Sequence, residues 1–223
     1  MKNLQIICLI FIALSLNQGV AAQDTCLTNL SIGISFPPVS DDTQRNFAKT
    51  HLDFLNITKI RFDESWELRE PTQGVFNWQP LDDRISWAND NGYEIMLTIQ
   101  SNGPAWACSS VQNGQSCVFN DNSFFQIYID SLLKRYPNEI DKIQFGNEWQ
   151  SDYWYAGNAN DFIQANNIVY NAVQNYSPLT QVVLGGFSTI ALRFLAGCNG
   201  YVSSFYEVAS QKVCKAKSYS EIF

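Results

Sequence analysis

The sequence has only one histidine, His51, and no two cysteines in C-x-x-C spacing. Zinc sites in proteins are usually built from such residues, so neither a metal nor another cofactor is predicted. Basic residues are also few: 14 Lys and Arg stand against 21 Asp and Glu, for a net charge of -7, and they form no cluster. An acidic chain without a basic patch argues against nucleic acid or an anionic membrane as a partner.

Long apolar runs are absent except at the beginning of the chain. Lys2, the apolar run from Ile6 to Leu16 and the small residues Val20 to Ala22 are typical of a cleaved signal peptide. The run is too short to cross a bilayer comfortably. We therefore expect residues 1–22 to be a signal peptide and residues 23–223 to be secreted or periplasmic, with no membrane anchor.

Five cysteines follow the predicted signal peptide, which is an odd number. Cys108 with Cys117 and Cys198 with Cys214 are the pairs nearest in sequence, and each would close a short loop in an oxidising compartment. Cys26 is then left over. It is either a free thiol, or paired differently, or bonded to a cysteine in a later part of the protein.

Short β-rich runs alternate with longer segments of helical period along the chain. This βα alternation predicts an α/β protein with a parallel sheet, either doubly wound or a (β/α)8 TIM barrel. The strand candidates are Leu30–Phe36, Ile57–Phe62, Tyr93–Ile99, Lys142–Gly146 and Gln181–Gly186. The apolar stripes of the predicted helices are Phe47/Phe54/Leu55, Leu81/Ile85/Ala88, Phe125/Tyr128/Ile129/Leu132/Tyr136 and Phe162/Val169/Ala172.

Two features favour the barrel over the doubly wound sheet. The first strand is followed by SFPPVSD, which lacks the glycine-rich phosphate loop of dinucleotide-binding folds. Polar and aromatic residues also follow the strands, where a barrel has its catalytic face. They are Asp63, Glu64 and Trp66, then Gln100, Asn102 and Trp106, then Asn147, Glu148 and Trp149.

Three stretches together resemble a known family. WELREPTQGVFNW (Trp66–Trp78), GPAW (Gly103–Trp106) and GNEW (Gly146–Trp149) each follow their expected strand, and the sequence is similar to clan A glycoside hydrolases. The resemblance implies an eight-stranded barrel that hydrolyses β-glycosidic bonds with retention. It also implies an acid/base Glu after strand four and a nucleophilic Glu at the end of strand seven, because such cleavage needs two carboxylates flanking the bond.

The resemblance implies roles for three residues at matched positions. Glu148 would be the general acid/base, Asn147 would bind the sugar 2-hydroxyl, and Arg61 would steady the carboxylate of the nucleophile. We further predict that Trp106 and Trp149 line a carbohydrate cleft, since flat rings stack on pyranoses. The alternatives are a surface carboxylate at Glu148, a core ion pair at Arg61, and ordinary packing for the tryptophans.

The chain is shorter than the predicted barrel. Strand centres lie about 38 residues apart, so eight units would need about 300 residues. We therefore expect residues 23–223 to hold the first five to six βα units, with strands seven and eight and the nucleophile beyond Phe223, and this chain alone to be inactive. The alternatives are a complete smaller α/β domain, or a non-catalytic carbohydrate-binding barrel.

Overall fold

In a computed structural model, the described residues are 32–112, 116–149 and 154–186. The chain divides into two units, residues 1–33 and 34–223, and only Ile32 and Gly33 of the first are described. The predicted signal peptide, the predicted Cys198–Cys214 pair and Cys26 lie outside the described residues. The residues of the candidate site belong to the second unit.

The centre of the fold is a five-stranded sheet with the strand order β1-β2-β3-β6-β7. The pairs β2/β3, β3/β6 and β6/β7 are parallel. The predicted parallel sheet is therefore confirmed, and β6 is the fourth strand of this sheet. The strands are β1 (Gly33–Ser35), β2 (Lys59–Glu64), β3 (Glu94–Ile99), β6 (Lys142–Phe145) and β7 (Gln181–Leu184).

Helices connect the parallel strands, as the sequence predicts. The N-termini of three of these helices are capped by short polar side chains; for example, Asp41 accepts a hydrogen bond from Gln44 N, and Asn158 forms a capping box with Asp161. Such caps satisfy backbone donors that the first helical turn leaves unpaired. The helices are α1 (Asp42–Phe54), α2 (Trp66–Arg69), α3 (Gln79–Asp90), α4 (Asn122–Arg135) and α5 (Ala159–Tyr176).

The apolar stripe predicted for the first helix is wrong. Phe47 is 57% exposed and Phe54 is 86% exposed, whereas Ala48 and Leu52 are the buried residues of α1. This helix has two sets of apolar residues with helical spacing, Phe47 with Phe54 and Ala48 with Leu52. The second set, which has the smaller side chains, faces the core. His51 is exposed, and its ring lies 4.1 Å from that of Phe47.

The two faces of the sheet differ in chemistry. On β2, Ile60 and Phe62 are buried in the core that the helices cover, while Arg61 and Asp63 alternate with them on the other face. At the amino ends of the strands that other face is ionic: Lys59 Nζ lies 3.0 Å from Glu94, which also pairs with Lys142. The face that would line a barrel therefore carries charged side chains.

A two-stranded antiparallel hairpin follows β3 and was not predicted. It consists of β4 (Cys108–Gln112) and β5 (Ser116–Phe119). A disulfide joins Cys108 to Cys117 across the hairpin, which is the predicted pairing. The hairpin does not enter the parallel sheet, so the count of barrel strands is unchanged.

Candidate active site

A cavity of about 480 Å³ lies at the carboxyl ends of the parallel strands. Parallel α/β folds place their active sites at this edge, because the loops that follow the strands converge there. The side chains that line the cavity come from β2 and β3 and from the segments after β1, β3 and β6. They are Phe36, Arg61, Asp63, Thr98, Gln100, Ser101, Asn102, Asn147 and Trp154.

The segment after β6 carries the Asn-Glu pair and has an unusual backbone. Gly146 has φ +66° and Glu148 has φ +46°, both in the left-handed region. Gly146 N donates to Ile99 O over 2.8 Å, and Glu148 N donates to Gly186 O over 2.9 Å. These bonds fix the turn to the two neighbouring strands of the sheet, so Asn147 lines the cavity and Glu148 follows it directly.

Arg61 and Asn147 line the same cavity, so two of the predicted site residues come together. Arg61 Nε donates to Thr98 Oγ1 over 2.8 Å, and its guanidinium lies 5.7 Å from the centre of the Phe36 ring. Its terminal nitrogen is 3.8 Å from Asp63 Oδ1. The alternative role of Arg61, a core ion pair, would therefore involve Asp63.

Asp63 is a second ionisable group in the cavity wall. Burial raises the pKa of this carboxyl group, and Arg61, Gln100 and Arg84 oppose the shift. Gln100 Nε2 lies 3.5 Å from Oδ2, and Oδ1 is buried without a hydrogen bond from the residues that the structure describes. The cavity therefore contains a carboxyl group whose acceptor capacity is only partly used.

The other carboxylate at the end of β2, Glu64, points away from the cavity into an ionic core. It is 1% exposed and pairs with both Arg69 of α2 and Arg84 of α3. Arg84 also donates to Asp63 O over 2.9 Å, and Arg69 donates to Asn77 O over 2.7 Å. This triad connects the end of β2 to the two segments that follow it.

The Trp66–Trp78 stretch is part of the scaffold. Trp66 is completely buried, and its indole N–H donates to Glu70 Oε2 over 2.7 Å. Glu70 Oε1 accepts from Gly74 N over 2.8 Å, so one buried carboxylate orders both the helix and the turn after it. The Trp78 ring stacks on Tyr128 of α4, with the planes 5° apart. The motif thereby fixes the chain that leaves β2.

The two tryptophans predicted to contact sugar pack against the scaffold. Trp106 is T-shaped against Trp66, and its indole N–H donates to Glu70 O over 3.2 Å. Trp149 stacks on Phe162 of α5 with ring centres 4.8 Å apart. Within the described residues, neither these rings nor Glu148 belongs to the cavity wall. Their roles toward a substrate remain predictions.

Sequence reasoning missed three residues of the cavity wall: Phe36, Thr98 and Ser101. Phe36 is 60% exposed and has φ +59°. Its position directly after a strand places it on the predicted catalytic face, so this position could have identified Phe36 as a residue of the cavity wall. Thr98 was detectable as a polar residue among the apolar residues of β3, at a position that alternation places on the barrel side.

Among residues 32–112, 116–149 and 154–186, no group of three or more His, Cys, Asp or Glu side chains could hold a metal ion. Within the same ranges, none of the helices has both the length and the apolar character needed to cross a membrane.

Comparisons with known proteins bear on the fold. No protein-family model matches the chain. A 74-residue stretch is 30% identical to endo-1,4-beta-xylanase A of Fusarium oxysporum f. sp. lycopersici, covering 32% of this chain and 21% of that enzyme. A family 39 glycoside hydrolase from Bacteroides cellulosilyticus WH2 superposes with a TM-score of 0.58 at 16% identity, over 76% of this chain and 35% of that one.

Two further solved structures have similar folds. An exo-beta-1,4-mannosidase from Opitutaceae bacterium strain TAV5 matches with a TM-score of 0.56 at 16% identity, over 70% of this chain and 32% of that one. Endo-glycoceramidase II from Rhodococcus sp. matches with a TM-score of 0.52 at 15% identity, over 72% and 50%. The chain has the fold of part of a glycoside hydrolase TIM barrel.

The structural neighbours include clan A glycoside hydrolases, so the resemblance expected from the three motifs is confirmed at the level of the fold. The chain spans about a third of the first two solved structures and about a fifth of the xylanase.

Proposed function

We propose that the chain is part of a secreted retaining β-glycoside hydrolase in which Glu148 is the general acid/base. The nucleophilic glutamate would be supplied by sequence beyond Phe223. The glycoside hydrolase fold of the structural neighbours and the similarity to a xylanase support glycoside hydrolase activity. The substrate class is a carbohydrate with a β-glycosidic bond.

The position of Glu148 carries the proposal. It follows the fourth strand of the parallel sheet, one residue after Asn147, which lines the cavity at the carboxyl ends of the strands. Its backbone N–H is held by Gly186 O, so the turn is anchored to the fifth strand as well. A carboxyl group presented there could protonate the oxygen of a glycosidic bond bound in the cavity.

A general acid alone does not complete the reaction. Retention requires a second carboxylate that attacks the anomeric carbon, with the two carboxyl groups about 5 to 5.5 Å apart. In the proposed enzyme, Arg61 steadies that second carboxylate, and its link to Thr98 Oγ1 holds the guanidinium on the barrel side of β2. Asn147 binds the sugar 2-hydroxyl, a contact that strengthens in the transition state.

The test is Glu148→Gln in the full-length secreted protein, assayed on aryl β-xylosides, β-glucosides and β-mannosides. A dinitrophenyl leaving group needs little protonation, whereas a phenyl group needs much more. We expect kcat/KM for phenyl glycosides to fall about 10²- to 10⁴-fold, with a much smaller loss for dinitrophenyl glycosides. Added azide should form a β-glycosyl azide with the variant, identified by NMR.

The matched control is Glu139→Gln, because Glu139 is exposed and precedes β6 at the opposite end of the sheet. It should leave both rates at the wild-type value. Equal losses on the two leaving groups would remove Glu148 from the acid/base role. Binding of β-linked disaccharides by the wild type without any turnover would favour the non-catalytic carbohydrate-binding barrel.

A further inference from the structure

The cavity wall contains a carboxylate for which the proposed mechanism has no task. Asp63 lies on β2, two residues after Arg61, on the same face of the strand. Its side chain is 26% exposed, and it lines the cavity together with Phe36, Gln100 and Asn147. It is therefore placed to contact whatever the cavity binds.

The neighbours of Asp63 leave it short of donors. Arg61 approaches Oδ1 to only 3.8 Å, which is beyond hydrogen-bond distance, because the Arg61 Nε is directed to Thr98. Gln100 reaches Oδ2 at 3.5 Å, the outer limit of a hydrogen bond. Because Oδ1 is buried, a ligand would reach the exposed part of this carboxyl group, where Oδ2 has only the long contact to Gln100 among the described residues, and a ligand group that donates there would be bound strongly.

The surroundings also determine what kind of donor fits. The positive guanidinium of Arg61 beside the carboxylate disfavours a second cation, such as an ammonium group, at this point. The exposed ring of Phe36 offers a flat apolar surface in the same cavity. A neutral hydroxyl group on a ring with an apolar face satisfies both conditions, and a pyranose has both features.

We infer that Asp63 is a specificity-determining residue that accepts a hydrogen bond from one sugar hydroxyl group, with Gln100 positioning its carboxylate. The inference rests on the proposed function, since it identifies part of the same carbohydrate site. It concerns substrate selection and assigns Asp63 no part in proton transfer or nucleophilic attack.

The experiment measures binding and hydrolysis separately. Calorimetry on the full-length protein would use S-linked xylobiose, cellobiose and β-1,4-mannobiose, which resist hydrolysis. The tightest of the three is then compared with its monodeoxyfluoro analogues, because fluorine removes a hydroxyl donor at nearly the same size. The variants are Asp63→Asn and the matched control Asp90→Asn, an exposed position at the end of α3.

The expected result is specific to one hydroxyl group. Asp63→Asn should lower the affinity for the parent disaccharide about 10- to 100-fold, which corresponds to the usual strength of a hydrogen bond to a charged group. One fluoro analogue should bind the wild type more weakly than the parent disaccharide does, by a similar factor. For Asp63→Asn, the affinities of this analogue and the parent should differ by less than about twofold, because the two changes remove the same hydrogen bond. Asp90→Asn should behave as the wild type throughout.

If Asp63 had a purely structural role, Asp63→Asn would bind the parent disaccharide and all the analogues more weakly than the wild type by the same factor. That result would overturn the inference. Wild-type affinity in Asp63→Asn would overturn it too, while continued hydrolysis of aryl β-glycosides would leave the proposed function standing. If the wild type binds none of the disaccharides and hydrolyses none of the glycosides, the proposed function fails and the Asp63 subsite fails with it.

Discussion

The buried triad at the end of β2 allows a sharp stability prediction. Glu64 is 1% exposed, and each of its oxygens faces a guanidinium, Oε1 that of Arg69 and Oε2 that of Arg84. Glu64→Gln keeps the shape of the side chain and removes its charge. Arg69, which is 5% exposed, would then be a buried cation that has lost its ion-pair partner.

The expected magnitude follows from the burial of the pair. Removing one partner of a buried ion pair costs about 3 to 5 kcal/mol, because the remaining charge stays desolvated. For a domain of this size, that corresponds to a lower melting temperature by about 6 to 20 °C. Urea unfolding followed by tryptophan fluorescence, together with a thermal melt by circular dichroism, would measure both quantities.

The control is Asp42→Asn, which breaks a surface pair with Arg45. The Asp42 side chain is 91% exposed, and such pairs contribute about 0 to 1 kcal/mol. If Glu64→Gln destabilised the protein no more than this control, the reasoning that the two buried guanidinium groups depend on the Glu64 carboxylate would be refuted. An equal loss at high salt would agree with burial, since salt screens exposed pairs far more strongly.

Three further results are expected. Burial raises the pKa of Asp63 in the folded state. The stability that this group contributes is therefore present at low pH and is lost as pH rises through its folded-state pKa. We expect Asp63→Asn to gain stability relative to the wild type as pH rises from about 3 to 7. Arg135 holds the pKa of Asp82 below its usual range. Asp82→Asn should therefore lower the stability at pH values above the unfolded-state pKa of about 3.9. This loss should vanish as pH falls through the folded-state pKa of Asp82. Unfolding titrations at several pH values check both signs, and identical pH dependence in the two variants would contradict them. Replacing Cys108 and Cys117 by serine should lower the free energy of unfolding by about 2 to 3 kcal/mol, the loop-closure value for a separation of 9 residues, and non-reducing peptide mapping should recover this pair linked.

Much of the fold was predictable, because the parallel strands are short apolar runs whose boundaries coincide with polar residues. The run from Tyr93 to Ile99 predicted β3 to within one residue, and Asn91-Gly92, a typical signal for the end of a helix, directly follows α3. The hairpin after β3 was missed, although Asn113-Gly114 between two β-rich runs is a strong hairpin signal.

The candidate site was predicted less completely, since its members are separated in sequence and depend on side-chain direction. Arg61 and Asn147 were identified from the family resemblance, and both line the cavity. Trp106 was chosen for its aromatic ring, but the ring is held by Trp66 and by a hydrogen bond to Glu70 O. Residue type predicts that a ring will be buried, whereas its partner is decided by tertiary packing.

The left-handed backbone of Glu148 has a consequence for protein engineering. A residue other than glycine or asparagine in this conformation costs about 1 to 2 kcal/mol, so the chain carries local strain at this position. A selection for thermal stability alone should therefore favour Glu148→Gly, which relieves the backbone strain and removes the side chain. Stabilised descendants of this protein could then have lost the carboxyl group, so any stabilisation campaign needs an activity screen in parallel.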